Sequence, residues 1–265
     1  MSTDAVHRPR KRFGQNFLHD KETIDRIIQA FDPDPNLAVV EIGPGRGALT
    51  IPLLKKVGTV NAIEIDTDLA QRLIEKCKDL GKLNLHIGDA LKFDFSEIQP
   101  GPLQIIGNLP YNISTPLMFY LLKEISITEF MLLMLQKEVV NRICANHDDV
   151  DYGRLSVMIQ SRCQVEKLFN VSPDAFTPPP KITSAVVKLI PEHSRASAIL
   201  DLPLFEQLVR QAFNQRRKTL RNSLKGFVDE DCLKALSIPS TCRAENVSVE
   251  DYVNIANQLY HQQNQ

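Results

Sequence analysis

Apolar residues recur along this chain in two rhythms that take turns. Short, mainly apolar stretches at 37–42, 60–65, 83–87, 103–107 and 130–135 have the length of strands. Between them the apolar positions fall at helical spacing: Leu49, Leu53 and Leu54, then Leu69, Leu73, Ile74 and Cys77, then 116–122, and roughly 137–145. Ahead of the first run, Asp20 is placed to cap a helix carrying Ile24, Ile27, Ile28 and Phe31, which Asp32-Pro33-Asp34-Pro35-Asn36 brings to a stop. Further on, an acidic loop at 147–152 and a helix near 155–159 precede two more strands near 165–169 and 184–190. Such alternation predicts an α/β chain with a mainly parallel sheet covered by helices on both faces. After Pro191 only helical spacing remains, and Ser248 with Asp251 resembles a capping box. The pattern therefore divides the chain into a polar arm (1–19), an α/β domain (20–191) and a small all-helical domain (192–265).

Composition narrows the class without changing that picture. Hydrophobic residues make up 43% and charged residues 24%, which fits a globular domain and argues against an extended polar tail. No apolar run is long enough to span a membrane, and the amino terminus is basic with no apolar core of a secretory signal. The five cysteines are scattered without metal-ligand spacing, so reduced thiols, a cytosolic setting and no metal are expected. Net charge is only −1, but it is unevenly spread. Arg8, Arg10, Lys11 and Arg12 make the arm basic. Arg210, Arg216, Arg217, Lys218, Arg221 and Lys225 crowd one segment whose only acid is Glu206, followed by acidic residues from 229 to 251. Local charge decides phosphate binding, so both basic stretches are candidate RNA contacts. From 205 to 224 the residues Phe205, Leu208, Val209, Ala212, Phe213, Leu220 and Leu224 share a helical face with the cations opposite. Arg216 projects onto the apolar side, so either the helix breaks near Asn214-Gln215 or Arg216 is paired.

Two turns carry the candidate chemistry. Glu41-Ile42-Gly43-Pro44-Gly45-Arg46-Gly47 is a strand, a glycine turn and a helix start, fit for close approach of a ligand to backbone. Its spacing matches neither the phosphate loop nor the strict dinucleotide fingerprint. Glu64, about 20 residues after Gly43 at the end of the next strand, is placed to accept both ribose hydroxyls of an adenosine cofactor. Asp89, after the third strand, is placed to accept from the adenine amine, and three such strand ends fit S-adenosylmethionine. The second turn is Asn108-Leu109-Pro110-Tyr111, where an apolar strand stops at a proline. The Asn108 side-chain oxygen and the Leu109 carbonyl are two acceptors for the N–H bonds of an exocyclic amine, with Tyr111 to stack on a flipped base. Phe176, in a proline-rich loop, is either a second stacking face or a plug in the core. Asn16 and Leu18, just before the first helix, either fold over the cofactor or simply lead into the helix.

Six motifs in order resemble the bacterial small-subunit ribosomal RNA adenine dimethyltransferases. They are Gly14-Gln15-Asn16-Phe17-Leu18, the glycine turn from Glu41 to Gly47, Gly88-Asp89-Ala90, Gly107 to Ser114, Phe176 to Lys181, and Ala212 to Arg221. The resemblance implies a Rossmann-like S-adenosylmethionine-dependent methyltransferase domain and a helical RNA-binding domain. It implies N6,N6-dimethylation of two adjacent adenosines in the 3'-terminal hairpin of 16S rRNA, late in small-subunit assembly, by a cytoplasmic enzyme taken to be monomeric. By motif, Asn16, Leu18, Gly43, Gly45, Glu64, Asp89 and Asn108 would bind the cofactor. Asn108, Leu109, Pro110, Tyr111 and Phe176 would hold the base. The related macrolide-resistance enzymes, which act on large-subunit RNA, share the Asn-Leu-Pro-Tyr logic, but Pro178-Pro179-Pro180-Lys181 and the segment from Phe213 to Arg221 favour the small-subunit reading. An assembly factor acting by binding, and a nicotinamide-dependent oxidoreductase resting on the glycines and Glu64, are the rivals from other classes.

Overall fold

The computed structural model describes residues 15–98, 101–215 and 217–264. Nine strands are present among them: β1 Phe17–Leu18, β2 Ala38–Ile42, β3 Thr59–Glu64, β4 Lys82–Ile87, β5 Leu103–Asn108, β6 Thr128–Gln136, β7 Cys163–Val171, β8 Phe176–Thr177 and β9 Ser184–Pro191. Seven of them form one sheet in the order β4-β3-β2-β5-β6-β9-β7. The pairings from β4 through β6 are parallel and β9 joins β6 antiparallel. All seven strands predicted from apolar runs are there.

The strand order reverses direction at β2: the chain builds outward through β3 and β4, then returns to add β5 on the other side of β2. Such a switch point opens a crevice beyond the strands' carboxyl ends. Because β2 lies inside the sheet between β3 and β5, every residue of it is buried, Glu41 included. Register then aligns the loops that matter, since Ile42 stands opposite Gly107 and Ile63 opposite Ile42. Gly107 is required here by space: a Cβ would come within 2.8 Å of the Ile42 carbonyl oxygen and 2.9 Å of Leu109 Cδ2.

By packing the chain forms two compact units. The first takes residues 15–140 with Lys167–Leu189, and the second takes Asn141–Glu166 with Ile190 onward. Residues 141–166, which the sequence pattern assigns to the α/β domain, thus group with the helices. The reason lies in their side chains: the Tyr152 hydroxyl donates to the Val247 carbonyl at 3.0 Å, and helix Arg154–Gln160 packs on helices Leu202–Ala212 and Val249–Gln263. Phe213 joins this core between Tyr152 and Tyr252, with centroids 6.1 and 5.8 Å away.

Local signals fix the helix ends. Asp20 Oδ2 accepts from the Thr23 amide at 2.8 Å, and the Asp251 amide donates to Ser248 Oγ at 3.0 Å, as the sequence predicts. Of the two readings of the stretch from 205 to 224, the helix break near Asn214-Gln215 is the one present. Helix Leu202–Ala212 ends, a 3₁₀ turn covers Phe213–Gln215, and a short helix resumes at Leu220–Ser223. Phe205, Leu208, Val209, Ala212, Leu220 and Leu224 are nonetheless all buried, so the apolar face survives the break.

Candidate active site

A cleft of about 990 Å³, counting its open mouth, lies in the first unit at the carboxyl ends of β2, β3, β4 and β5. It is lined by all seven predicted cofactor residues, Asn16, Leu18, Gly43, Gly45, Glu64, Asp89 and Asn108, and by Leu109, Pro110 and Tyr111.

The glycine turn is shaped around Glu64. Gly43 and Gly45 take φ of +68° and +56°, a left-handed backbone that glycine adopts freely. The Gly43 amide donates to the Ile63 carbonyl at 2.9 Å, and the Gly45 amide donates to Glu64 Oε2 at 3.0 Å. The Asp66 amide donates to Glu64 Oε1 at 2.9 Å. Both carboxylate oxygens are thereby aimed, and each retains lone-pair capacity for a further donor. Burial pushes the Glu64 carboxyl above its ordinary range, while the Asp66 and Gly45 amides pull the other way. Asp89 is held similarly, its Oδ1 accepting from the Leu91 amide at 3.0 Å. Beneath the turn, the buried Glu41 carboxyl is pushed up to about 8 by burial, although Thr50 Oγ1 donates to it at 2.6 Å.

The second turn has its own supports. β5 ends at Asn108, and the Leu109 amide donates to the Met134 carbonyl at 3.1 Å, which ties the turn to β6. Asn108 Nδ2 donates to the Asn16 carbonyl at 3.2 Å. Because the nitrogen is used there, the amide orientation leaves Oδ1 as the acceptor for a ligand. Ser114 Oγ donates to the Tyr111 carbonyl at 3.1 Å, and the Tyr111 hydroxyl lies 2.7 Å from Ser184 Oγ in a hydrogen bond.

The sequence reading missed how the arm is held. β1 pairs antiparallel with β8, setting Phe17 opposite Thr177 and Leu18 opposite Phe176. Gln15 Nε2 donates to Asp66 Oδ2 at 3.2 Å, and the Arg46 guanidinium sits 4.1 Å from the Phe17 ring centroid. The Phe17 ring in turn lies 3.4 Å from where a Cβ on Gly45 would be. Ile65, 46% exposed beside Glu64, was also passed over; it gives the cleft an apolar wall. Its only sequence signal is an apolar residue directly after the acidic strand end.

Phe176 is 2% exposed and packs in the core with Leu18, Ile27, Phe31 and Val186, the second of the two places the sequence left open for it. Its pairing with Leu18 explains why: a strand position next to a buried leucine turns the ring inward. In the second unit Arg210, Arg217, Lys218 and Arg221 are all exposed, with Arg221 3.4 Å from Glu230. Arg8, Arg10, Lys11 and Arg12 lie outside the described residues. Among the described residues no group of three or more His, Cys, Asp or Glu side chains is placed to hold a metal, and no helix is long and apolar enough to cross a membrane.

Residues 6–261 match the family described as ribosomal RNA adenine dimethylase. The chain belongs to that family. Curated relatives agree along nearly the whole length. The ribosomal RNA small subunit methyltransferase A of Chromobacterium violaceum is 51% identical, with 97% of each chain covered, and that of Pseudomonas putida is 48% identical, with 99% of each covered. Among solved structures, a dimethyladenosine transferase from Plasmodium falciparum superposes with a TM-score of 0.80 at 29% identity, covering 90% of this chain and 95% of that one. The 23S rRNA methyltransferase ErmE superposes at 0.71 with 25% identity, covering 92% and 100%. This dimethylase therefore has the Rossmann-like fold of S-adenosylmethionine-dependent methyltransferases, and it is an rRNA adenine dimethyltransferase. S-adenosylmethionine is its cofactor. The residues present suit that group. The glycine turn exposes backbone, with nothing nearer to a Cβ on Gly43 than the Asn108 carbonyl oxygen at 3.9 Å, and two carboxylates with fixed orientation stand at successive strand ends.

Proposed function

We propose that this enzyme dimethylates the N6 amines of two adjacent adenosines in the 3'-terminal hairpin of 16S rRNA, within the assembling small ribosomal subunit in the cytoplasm. The observation that carries the reading is the Asn108-to-Tyr111 turn at the switch point, with its side-chain amide oriented by Asn16. The choice of subunit is supported by relatives about half identical over almost their full length that carry a small-subunit name, against 25% identity with the 23S enzyme.

In this reading Glu64 accepts the ribose hydroxyls of the cofactor and Asp89 its adenine amine. Gly43 and Gly45 let its tail lie against backbone, and Asn16 and Leu18 close the side. Bound S-adenosylmethionine supplies a methyl group already activated on a sulfonium. The chain's own task is to make the adenine amine a nucleophile. Its lone pair is delocalised into the ring, and acceptors at Asn108 Oδ1 and the Leu109 carbonyl draw both N–H bonds out of plane and localise that pair. The same acceptors stabilise positive charge developing on nitrogen. Tyr111 stacks on the ring and fixes its approach. No strong base is needed, because the methylated ammonium is acidic and loses its proton to water. Arg210, Arg217, Lys218 and Arg221, together with the basic arm, bind RNA phosphates, and the enzyme works as a monomer.

The test is methyl transfer from labelled S-adenosylmethionine to small subunits lacking the modification, with large subunits and naked RNA in parallel. Label recovered as dimethyladenosine from small subunits alone is expected. Label on large subunits would overturn the assignment, and no label on any of the three would favour a role in assembly by binding.

A further inference from the structure

We infer that Ser184 is a positioning residue for methyl transfer: it fixes the plane of the Tyr111 ring, and the second methylation depends on it more than the first. The inference rests on the reading of Tyr111 as the stacking ring. Stacking needs only a ring, so for stacking alone phenylalanine would serve as well as tyrosine. The hydroxyl needs its own account, and the structure supplies one in the 2.7 Å bond to Ser184 Oγ, in which either group can donate.

Ser184 is well placed to be a fixed point. It is fully buried and begins β9, opposite Gln136 at the end of β6. Just before it, the Thr183 carbonyl accepts from the Lys137 amide at 3.0 Å. β6 in turn carries the Met134 carbonyl that anchors Leu109. The acceptors and the stacking ring are therefore referred to one strand, the acceptors through Met134 and the ring through Ser184. At its other end Tyr111 is held through its carbonyl by Ser114.

The two transfers load this arrangement differently. Unmodified adenine offers two N–H bonds, one to each acceptor. After one methyl has been added a single N–H remains, so only one acceptor is engaged. Placement of the monomethylated base then leans on stacking, and looseness in the Tyr111 ring falls mainly on the second transfer.

The experiment compares Ser184→Ala, Tyr111→Phe and the double variant of the full-length enzyme on unmodified small subunits, reading rate and the ratio of monomethyl to dimethyladenosine. Each single variant is expected to lower kcat by about tenfold, the effect of one lost hydrogen bond. KM for S-adenosylmethionine should be unchanged, and monomethyladenosine should accumulate. The double variant should be no worse than either single one, because both ends of the same bond are then gone. Tyr111→Phe removes the bond without touching the buried serine, so it guards against simple misfolding of Ser184→Ala. General loss of stability would lower both products together and leave their ratio unchanged, which would overturn the proposal. Tyr111→Ala separates the two levels of the argument. If it is inactive while Ser184→Ala and Tyr111→Phe retain wild-type rate and product ratio, the positioning role fails and the stacking role stands. If Tyr111→Ala is itself fully active, the stacking role fails as well.

Discussion

The strand-end cleft and the basic segment of the helical unit are built in opposite ways, which suits the two tasks proposed for them. In the cleft, groups are placed singly and each is held by backbone: Glu64 by two amides, Asp89 by one, Asn108 by the Asn16 carbonyl. In the basic segment Arg210, Arg217, Lys218 and Arg221 are exposed; Arg210 is on helix Leu202–Ala212, Arg221 on helix Leu220–Ser223, and Arg217 and Lys218 lie in the irregular stretch between them. Chemistry on one nitrogen atom requires acceptors fixed to a fraction of an ångström, whereas attraction of a phosphate backbone tolerates long flexible cations. Substitutions in the cleft should therefore act steeply and specifically, and those in the basic segment gradually and additively.

The largest effect is expected from Asn108→Ala, which should cut methyl transfer by roughly a hundredfold or more, with the thermal melting curve nearly unchanged. A variant that kept most of its turnover would break the contrast at its strongest point. Glu64→Gln comes next. The isosteric amide presents only one acceptor and a donor where a hydroxyl must also donate, so S-adenosylmethionine affinity measured by calorimetry should fall about tenfold or more. Affinity for RNA should stay as it was.

Removing cations sharpens the other side. Arg217→Ala and Lys218→Ala should each weaken RNA binding a few-fold, and each should reduce the slope of log affinity against log salt by about one. A loss confined to one RNA sequence would show that the segment reads bases. A last effect, on stability and not on activity, concerns Glu41, whose carboxyl rises from 4.5 to about 8 on folding. An acid that holds its proton more tightly when folded stabilises the fold at low pH, and that contribution is lost as pH rises from 4.5 through about 8. Melting temperature should decline over that window in the wild type and more weakly in Glu41→Gln, whose side-chain carbonyl keeps an acceptor for Thr50.

Legibility in the sequence followed the same divide. β2 to β6 were readable because parallel strands in a covered sheet are mainly apolar stretches of strand length, and Gly43, Glu64, Asp89 and Asn108 then stood at their ends by counting. The β1–β8 pair was not readable, since two residues carry no periodicity and their partners lie far apart in the chain. Phe176 turned inward for the same reason: its direction is set by Leu18 across that ladder, which local sequence does not reveal. The break after Ala212 was legible only as an anomaly, one charged position on an otherwise apolar face. The allegiance of residues 141–166 was invisible because Tyr152 is an ordinary loop residue until Val247 is beside it.

The two-residue ladder of β1 and β8 has a consequence for how the enzyme meets heat. The carbonyl that orients Asn108 belongs to Asn16, one residue before that ladder begins. The ladder holds only two residue pairs, so opening it breaks far fewer backbone bonds than unfolding the seven-stranded sheet, although Leu18 and Phe176 must leave the core. Under the role proposed for Asn108, the expected consequence is that methyl transfer falls at a lower temperature than the one at which the sheet melts, because the amide at 108 loses its partner when the short ladder opens.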